Sequence, residues 1–173
     1  MGTALAIRVH LAAPPVVIGR PVPPRRLDLS DEAIARPLLE LQRESYAVEA
    51  ALIGDDRIPQ LTETLDALRA AGLDWLGAFD DTGLTGAVAW TVLPDETVDI
   101  HRLIVAPRAF RRGVATALLD GLDALLPGRR ILVSTGAANV PAITLYERRG
   151  FRLVREREVV PGLAVAELTR SAG

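Results

Sequence analysis

Apolar residues recur at helical spacing in the first third of the chain, at every second position in the middle, and in a mixture of both towards the end. From Leu38 through Leu52 the apolar set Leu38, Leu41, Tyr46, Val48 and Leu52 is interspersed with Glu and Arg, the pattern of an amphipathic helix. Ser30 ahead of Asp31 and Glu32 supplies an N-cap with acidic residues at the positive helix end. Pro37 is expected to restart or kink this helix, and Gly54 to end it. A second helix is expected from Pro59 at its first position to Ala71, with Leu61, Leu65 and Leu68 on one face and Gly72 as the stop. The period then changes. Trp75 to Phe79, Leu84 to Leu93 and Val98 to Val105 read as strands, separated by the turn formers Asp80-Asp81-Thr82-Gly83 and Pro94-Asp95-Glu96, which predicts an antiparallel meander.

Further along, Leu118, Leu119, Leu122, Leu125 and Leu126 form the apolar stripe of another helix, closed by Pro127-Gly128. Ile131 to Ser134 is a short strand. Asn139 can cap a helix with Pro141 in its first turn and Gly150 as its left-handed stop. Arg152 to Val159 and Leu163 to Thr169 make a terminal hairpin around Pro161-Gly162, with alternating Arg and Glu marking an exposed first strand. With a first short strand at Arg26 to Leu29, the order is strand, two helices, three strands, helix, strand, helix, two strands. That order predicts an α+β domain with a central mixed, mostly antiparallel sheet of about six to seven strands and about four helices. Residues 1–25 stand apart: an alternating stretch from Leu5 to Leu11 is followed by a run of prolines from Pro14 to Pro24. The expected division is a proline-rich extension over 1–25 and one domain over 26–173.

Composition narrows the chemistry. The chain has 173 residues, a formal net charge of −2 and 20 basic residues, all of them arginine. Without lysine there is no Walker-type phosphate lysine and no Schiff base. Without cysteine there is no disulfide, thiolate metal site or thiol nucleophile, which is consistent with the cytoplasm as the expected location. His10 and His101 are the only histidines and show no zinc spacing, so no metal is expected. No run of apolar residues is long enough for a membrane span, and neither a signal peptide nor a membrane partner is expected. Nucleic acid is disfavoured as a partner, because the arginine pairs are scattered and only 4% of residues are aromatic.

The segment Leu103-Ile104-Val105-Ala106-Pro107-Arg108-Ala109-Phe110-Arg111-Arg112-Gly113-Val114-Ala115-Thr116 carries the most information. A strand runs into a loop with three arginines, and small residues open a helix whose first amides lack internal partners. Such a terminus suits a phosphate or pyrophosphate, with arginine supplying charge. A plain strand-to-helix turn with solvated arginines is the alternative.

Here the sequence resembles the GNAT superfamily of acetyl-CoA-dependent N-acetyltransferases, over roughly residues 26–170. The family signature is a strand ending Leu-x-Val, a proline two residues on, and Arg/Gln-x-x-Gly-x-Gly/Ala leading into a helix. This chain reads Leu103-Ile104-Val105, Pro107 and Phe110-Arg111-Arg112-Gly113-Val114-Ala115, departing at Phe110. A second signature, Asn before a helix, Tyr within it and Gly-Phe at its end, is matched by Asn139, Tyr146 and Gly150-Phe151. The resemblance implies that the amides of Arg111, Arg112, Gly113, Val114, Ala115 and Thr116 hold the CoA pyrophosphate beside Phe110. It implies that the strand edge at Leu103, Ile104 and Val105 pairs with the pantetheine arm where the sheet splays. Asn139 would bond the pantetheine or simply cap its helix. Tyr146 would donate a proton to the departing thiolate, or pack in the core.

The implied reaction is transfer of acetyl from acetyl-CoA to a primary amine by direct attack in a ternary complex, since no cysteine can carry the group. Candidate bases are Asp99 and His101, which share a strand face, Glu44 or Glu49 on the first long helix, or a relayed water. Tyr46, Glu49, Asp55 and Asp56 would give the acceptor rim negative character. The acceptor is an amine on a small molecule or peptide, and the protein is expected to be a monomer or homodimer. A non-catalytic acyl-CoA-binding sensor or partner module of the same fold is the alternative.

Overall fold

In the computed structural model, residues 22–172 are described. The alternating stretch from Leu5 to Leu11 lies outside them. The described residues form a seven-stranded sheet in the order β1-β2-β3-β4-β5-β7-β6 with four α-helices, so the predicted mixed α+β architecture holds. β1 (Arg25–Arg26), β2 (Asp74–Asp80), β3 (Gly83–Val92) and β4 (Val98–Val105) run antiparallel as a meander. β5 (Ile131–Gly136) is parallel to β4, and β7 (Leu163–Arg170) pairs antiparallel with both β5 and the edge strand β6 (Arg152–Val160).

Helix α1 (Glu32–Ile53) is continuous through Pro37 and longer than the periodicity predicts. Pro37 sits in its second turn, where the missing N–H forfeits one helical bond and leaves the rest intact. The cap is Asp31 rather than Ser30. The Asp28 carboxylate accepts the Ser30 amide at 2.9 Å, so the helix starts one residue later, with Asp31 accepting from Ala33 N–H at 2.9 Å. The helix expected from Pro59 to Ala71 is broken. Pro59–Leu61 is a single 3₁₀ turn, Thr64 is extended and caps Ala67, and only α2 (Leu65–Ala70) is α-helical. The break turns Glu63 inward to an arginine on β4, described below.

Two apolar layers cover the sheet. On one side Leu38, Leu39 and Leu41 of α1 and Leu68 of α2 pack on Trp75, Ala87, Ala89 and Ile104. On the other, Leu118, Leu119 and Leu122 of α3 (Val114–Leu125) join Val88, Ile100, Val133 and Leu168, with Tyr146 of α4 (Val140–Arg148) and Phe151. Gly86 in β3 permits the close seating of α3. A Cβ there would meet Val114 Cγ1 at 2.6 Å and the Ile104 carbonyl oxygen at 3.0 Å.

Candidate active site

Two breaks in sheet regularity build the site, and both fall on β4. The first is a bulge. Ala89 pairs with Arg102 but Trp90 pairs with Ile100, which leaves His101 as the extra residue. The bulge reverses the face on which the following residues fall. Ile100 therefore belongs to the α3 layer, whereas Ile104 belongs to the α1 layer. The second break is a fork. β4 and β5 pair at Val98 with Ile131, Asp99 with Leu132 and Ile100 with Val133, and then part. Both strands continue beyond the fork, so unpaired strand edges face each other as the splayed-sheet expectation requires.

One cavity of about 680 Å³ fills the fork, a size suited to a ligand of small-molecule dimensions. At one end lies the loop into α3. Arg111 has φ 60°, uncommon for a residue with a side chain, and Gly113 has φ 79° at the N-cap. The first helical bond is donated by the Ala117 amide to the Gly113 carbonyl at 2.9 Å. The amides of Val114, Ala115 and Thr116 are thus the unpaired donors of a helix N-terminus, and those three residues line the cavity. Phe110, Arg111 and Gly113 line it too. Arg112 turns away, its guanidinium 3.5 Å from the Asp80 carboxylate.

The far end is formed by α1, β4, the end of β5 and α4. Tyr146 is 4% exposed, packs its ring against Phe151 at 5.4 Å between centroids, and still borders the cavity. Burial pushes its phenol well above the usual tyrosine value, and the neighbouring Tyr46 and Glu49 push the same way, so it is protonated at neutral pH. Tyr46 is raised likewise, by burial first and Glu49 second. These tyrosines belong to opposite layers, Tyr46 packing with the α1 side and Tyr146 with the α3 side, and they meet across the fork. Glu49 is the one carboxylate lining the cavity. It lies at the end of β5, where its Oε1 would be 3.5 Å from a Cβ on Gly136, and among the described residues it has no ion-pair partner.

Below them is a buried polar cluster. Arg102 is 8% exposed and forks onto Glu63, NH1 to Oε2 at 2.5 Å and NH2 to Oε1 at 3.0 Å. Gln42, fully buried on α1, donates to Glu63 Oε2 at 2.7 Å and to the Gln60 carbonyl at 3.2 Å, and accepts from Arg102 at 2.5 Å. Burial alone would raise the Glu63 pKa. The hydrogen bonds from Arg102 and Gln42 and the Arg102 charge outweigh it and hold the carboxyl below the usual range.

Comparison with known proteins places this arrangement. A sequence model described as the Acetyltransferase (GNAT) family matches residues 36–151, from α1 to Phe151 after α4. The chain belongs to the GNAT acetyltransferase family. Its fold is similar to that of the ribosomal-protein-S18-alanine N-acetyltransferase of Escherichia coli, with TM-score 0.67 and 16% identity over 87% of this chain and 94% of that one. It is also similar to the PaiA N-acetyltransferase of Thermoplasma acidophilum in complex with coenzyme A, with TM-score 0.65 and 18% identity over 87% and 98%. A curated relative, the UPF0157 protein YqkA of Bacillus subtilis strain 168, is 30% identical over 141 residues, 81% of this chain and 41% of that protein. The chain thus spans about two fifths of the length of that relative.

The GNAT structure brings together most of the residues singled out in the sequence. Tyr146, Glu49, His101, Leu103, Val105, Phe110, Arg111, Gly113, Val114, Ala115, Thr116 and Asn139 all border the cavity. Ile104 does not, its side chain being in the α1-side core, and neither does Asp99. His101 is bonded to the Thr91 hydroxyl at 2.9 Å and sits 3.8 Å from Asp99, so those two do share a side. Asn139 is the cap its position predicts, its Oδ1 accepting from Ala142 N–H at 3.2 Å. The acidic rim is smaller than expected. Asp55 is tied to Arg57, and neither it nor Asp56 lines the cavity, while Glu44, a candidate base, borders a different hollow beside Phe79 and Arg108. Sequence reasoning missed Arg102, Gln42 and Glu63. The signal was there for two of them: Arg102 follows Val98 and Ile100 at apolar positions of β4, and Gln42 sits beside Leu38 and Leu41 on α1.

Proposed function

We propose that this GNAT protein transfers an acetyl group from acetyl-CoA to a primary amine by direct attack in a ternary complex. The observation that carries this reading is the continuity of the cavity. It runs from the free amides of α3 to a protonated phenol and an unpaired carboxylate at the fork. Anion-ready amides at one end and proton-transfer groups at the other are what a long phosphorylated thioester and an amine require. The amides of Val114 to Thr116, with the Arg111 guanidinium, bind the pyrophosphate. The parted edges of β4 and β5 receive the pantetheine arm as an added strand.

Bound acetyl-CoA supplies the activated acetyl carbon. Glu49 orients the ammonium group of the acceptor and takes its proton, directly or through a water, since only the neutral amine attacks. A C–N bond forms as the C–S bond breaks; Glu49, having passed the first proton to solvent, takes the second one that the nitrogen sheds on becoming an amide, and Tyr146 gives its proton to the departing thiolate and regains one from solvent. The phenol is in the correct form at the outset, since its raised pKa keeps it a neutral donor. His101 is the less suitable base, because its Nε2 is engaged by Thr91 and its ring is more than a third exposed. Thiol release measured over a panel of primary amines tests the reading. Turnover with at least one amine is expected; tight acetyl-CoA binding with no turnover on any amine would replace the enzyme by a sensor.

A further inference from the structure

Charges at the acceptor end of the cavity are unevenly matched. Both positive or potentially positive groups there come with a carboxylate of their own. Arg102 is bidentate to Glu63, and His101 stands 3.8 Å from Asp99. Glu49 alone comes with no cation among the described residues. An amino acid would have to place its carboxylate within a few ångströms of the reacting amine, next to Glu49. The guanidinium that could receive it already has Glu63 on both terminal nitrogens and Gln42 on one. A second carboxylate would either displace a buried ion pair or crowd against it, and both cost free energy.

We infer that the acceptor is a cationic primary amine bearing no carboxylate beside its reacting nitrogen, and that Glu63 sets this choice by occupying Arg102. Glu63 is a specificity residue that acts through Arg102; it does not itself border the cavity. The inference rests on the acetyltransferase reading of the same site and adds the class of acceptor. Removing the Glu63 charge while keeping its shape leaves a buried guanidinium facing the cavity with one partner fewer, a ready receptor for a carboxylate.

The test uses amines that differ only by that carboxylate: butylamine against norvaline, and 2-phenylethylamine against phenylalanine. Each is measured twice, as kcat/KM with acetyl-CoA and as calorimetric affinity for the protein–CoA complex. The wild type is expected to favour the carboxylate-free member of each pair at least about tenfold. In Glu63→Gln the ratio falls towards one or inverts, chiefly through improved KM of the amino acids, while acetyl-CoA affinity is retained. Glu63→Asp, which keeps the charge, restores the preference. The double variant Glu63→Gln/Arg102→Met removes both charges and also returns the wild-type preference, and it remains informative should the single variant fail to fold. A wild-type ratio near one, an unchanged ratio in Glu63→Gln, or no binding of any amine overturns the inference. Binding preference without turnover overturns the catalytic reading alone, and turnover without preference overturns this inference alone.

Discussion

Tyr146 stands where both of the readings that its sequence context allows are met. Its ring is core, against Phe151, and its hydroxyl end borders the cavity. Tyr146→Phe keeps the packing and removes the proton, so kcat should fall by roughly 10²- to 10⁴-fold with acetyl-CoA affinity little changed; stopped-time thiol release and calorimetry read the two separately. Wild-type turnover would return the residue to the core alone. Glu49→Gln should cost on the order of 10²-fold in kcat/KM for the amine and leave the affinity for acetyl-CoA as it was. At this scale the sequence was uneven. Asn139 and Gly113 were readable because a cap and a helix opening are local demands, met within three or four residues. The Arg102 cluster was not, since Gln42 and Glu63 lie 60 and 39 positions from Arg102 and only the fold brings them to it.

Elements were predicted well where one period sufficed. β4 appears with the bounds its alternation gives, Val98–Val105, yet the pattern hides the bulge at His101. Alternating burial continues through the bulge while the buried residues change layers, and no count of apolar positions can register that. A similar ambiguity affects α1. Val48 and Leu52 read as core positions, but they are 39% and 49% exposed and line the cavity, because periodicity marks an apolar face without saying what it faces. The seating of α3 gives a test at this scale. Gly86→Ala pushes a Cβ into Val114 and the Ile104 carbonyl, so it should cost about 1–3 kcal/mol of stability and weaken CoA binding by displacing the free amides. At Gly113 there is open space, so Gly113→Ala should cost only the left-handed strain, about 1–2 kcal/mol, while Gly113→Glu should abolish CoA binding through its charge. Equal CoA affinities for the two Gly113 variants would refute the loop assignment.

For the molecule as a whole, the order of strands and helices was legible and the fork in the sheet was implied only through the family resemblance. Nothing in the apolar pattern of Ile131 to Gly136 says where pairing with β4 stops. The outer edge is managed separately: β6 is exposed throughout, carries alternating Arg and Glu, and is irregular in register at two places, features that discourage pairing with another sheet. Global stability should depend on pH through Glu63. Its folded pKa lies below that of free glutamate, so its contribution is complete above about pH 4.3 and is lost as pH falls through the lowered folded value. Melting curves of wild type and Glu63→Gln should therefore differ by several degrees at neutral pH and converge in acid; a gap independent of pH would contradict the assignment.

The fork resembles a seam fastened for three residue pairs and left open beyond them. Whatever lies in the opening and bonds to both edges finishes the fastening, and its binding energy is added to the folding energy of the protein. The melting temperature should climb steadily with the logarithm of CoA concentration, by about 2.7 kcal/mol of added stability at a hundredfold excess over Kd. Amides along the open edges of β4 and β5 should exchange with solvent far more slowly once CoA is bound. The persistence of the folded chain would then become a readout of the supply of the proposed acyl donor.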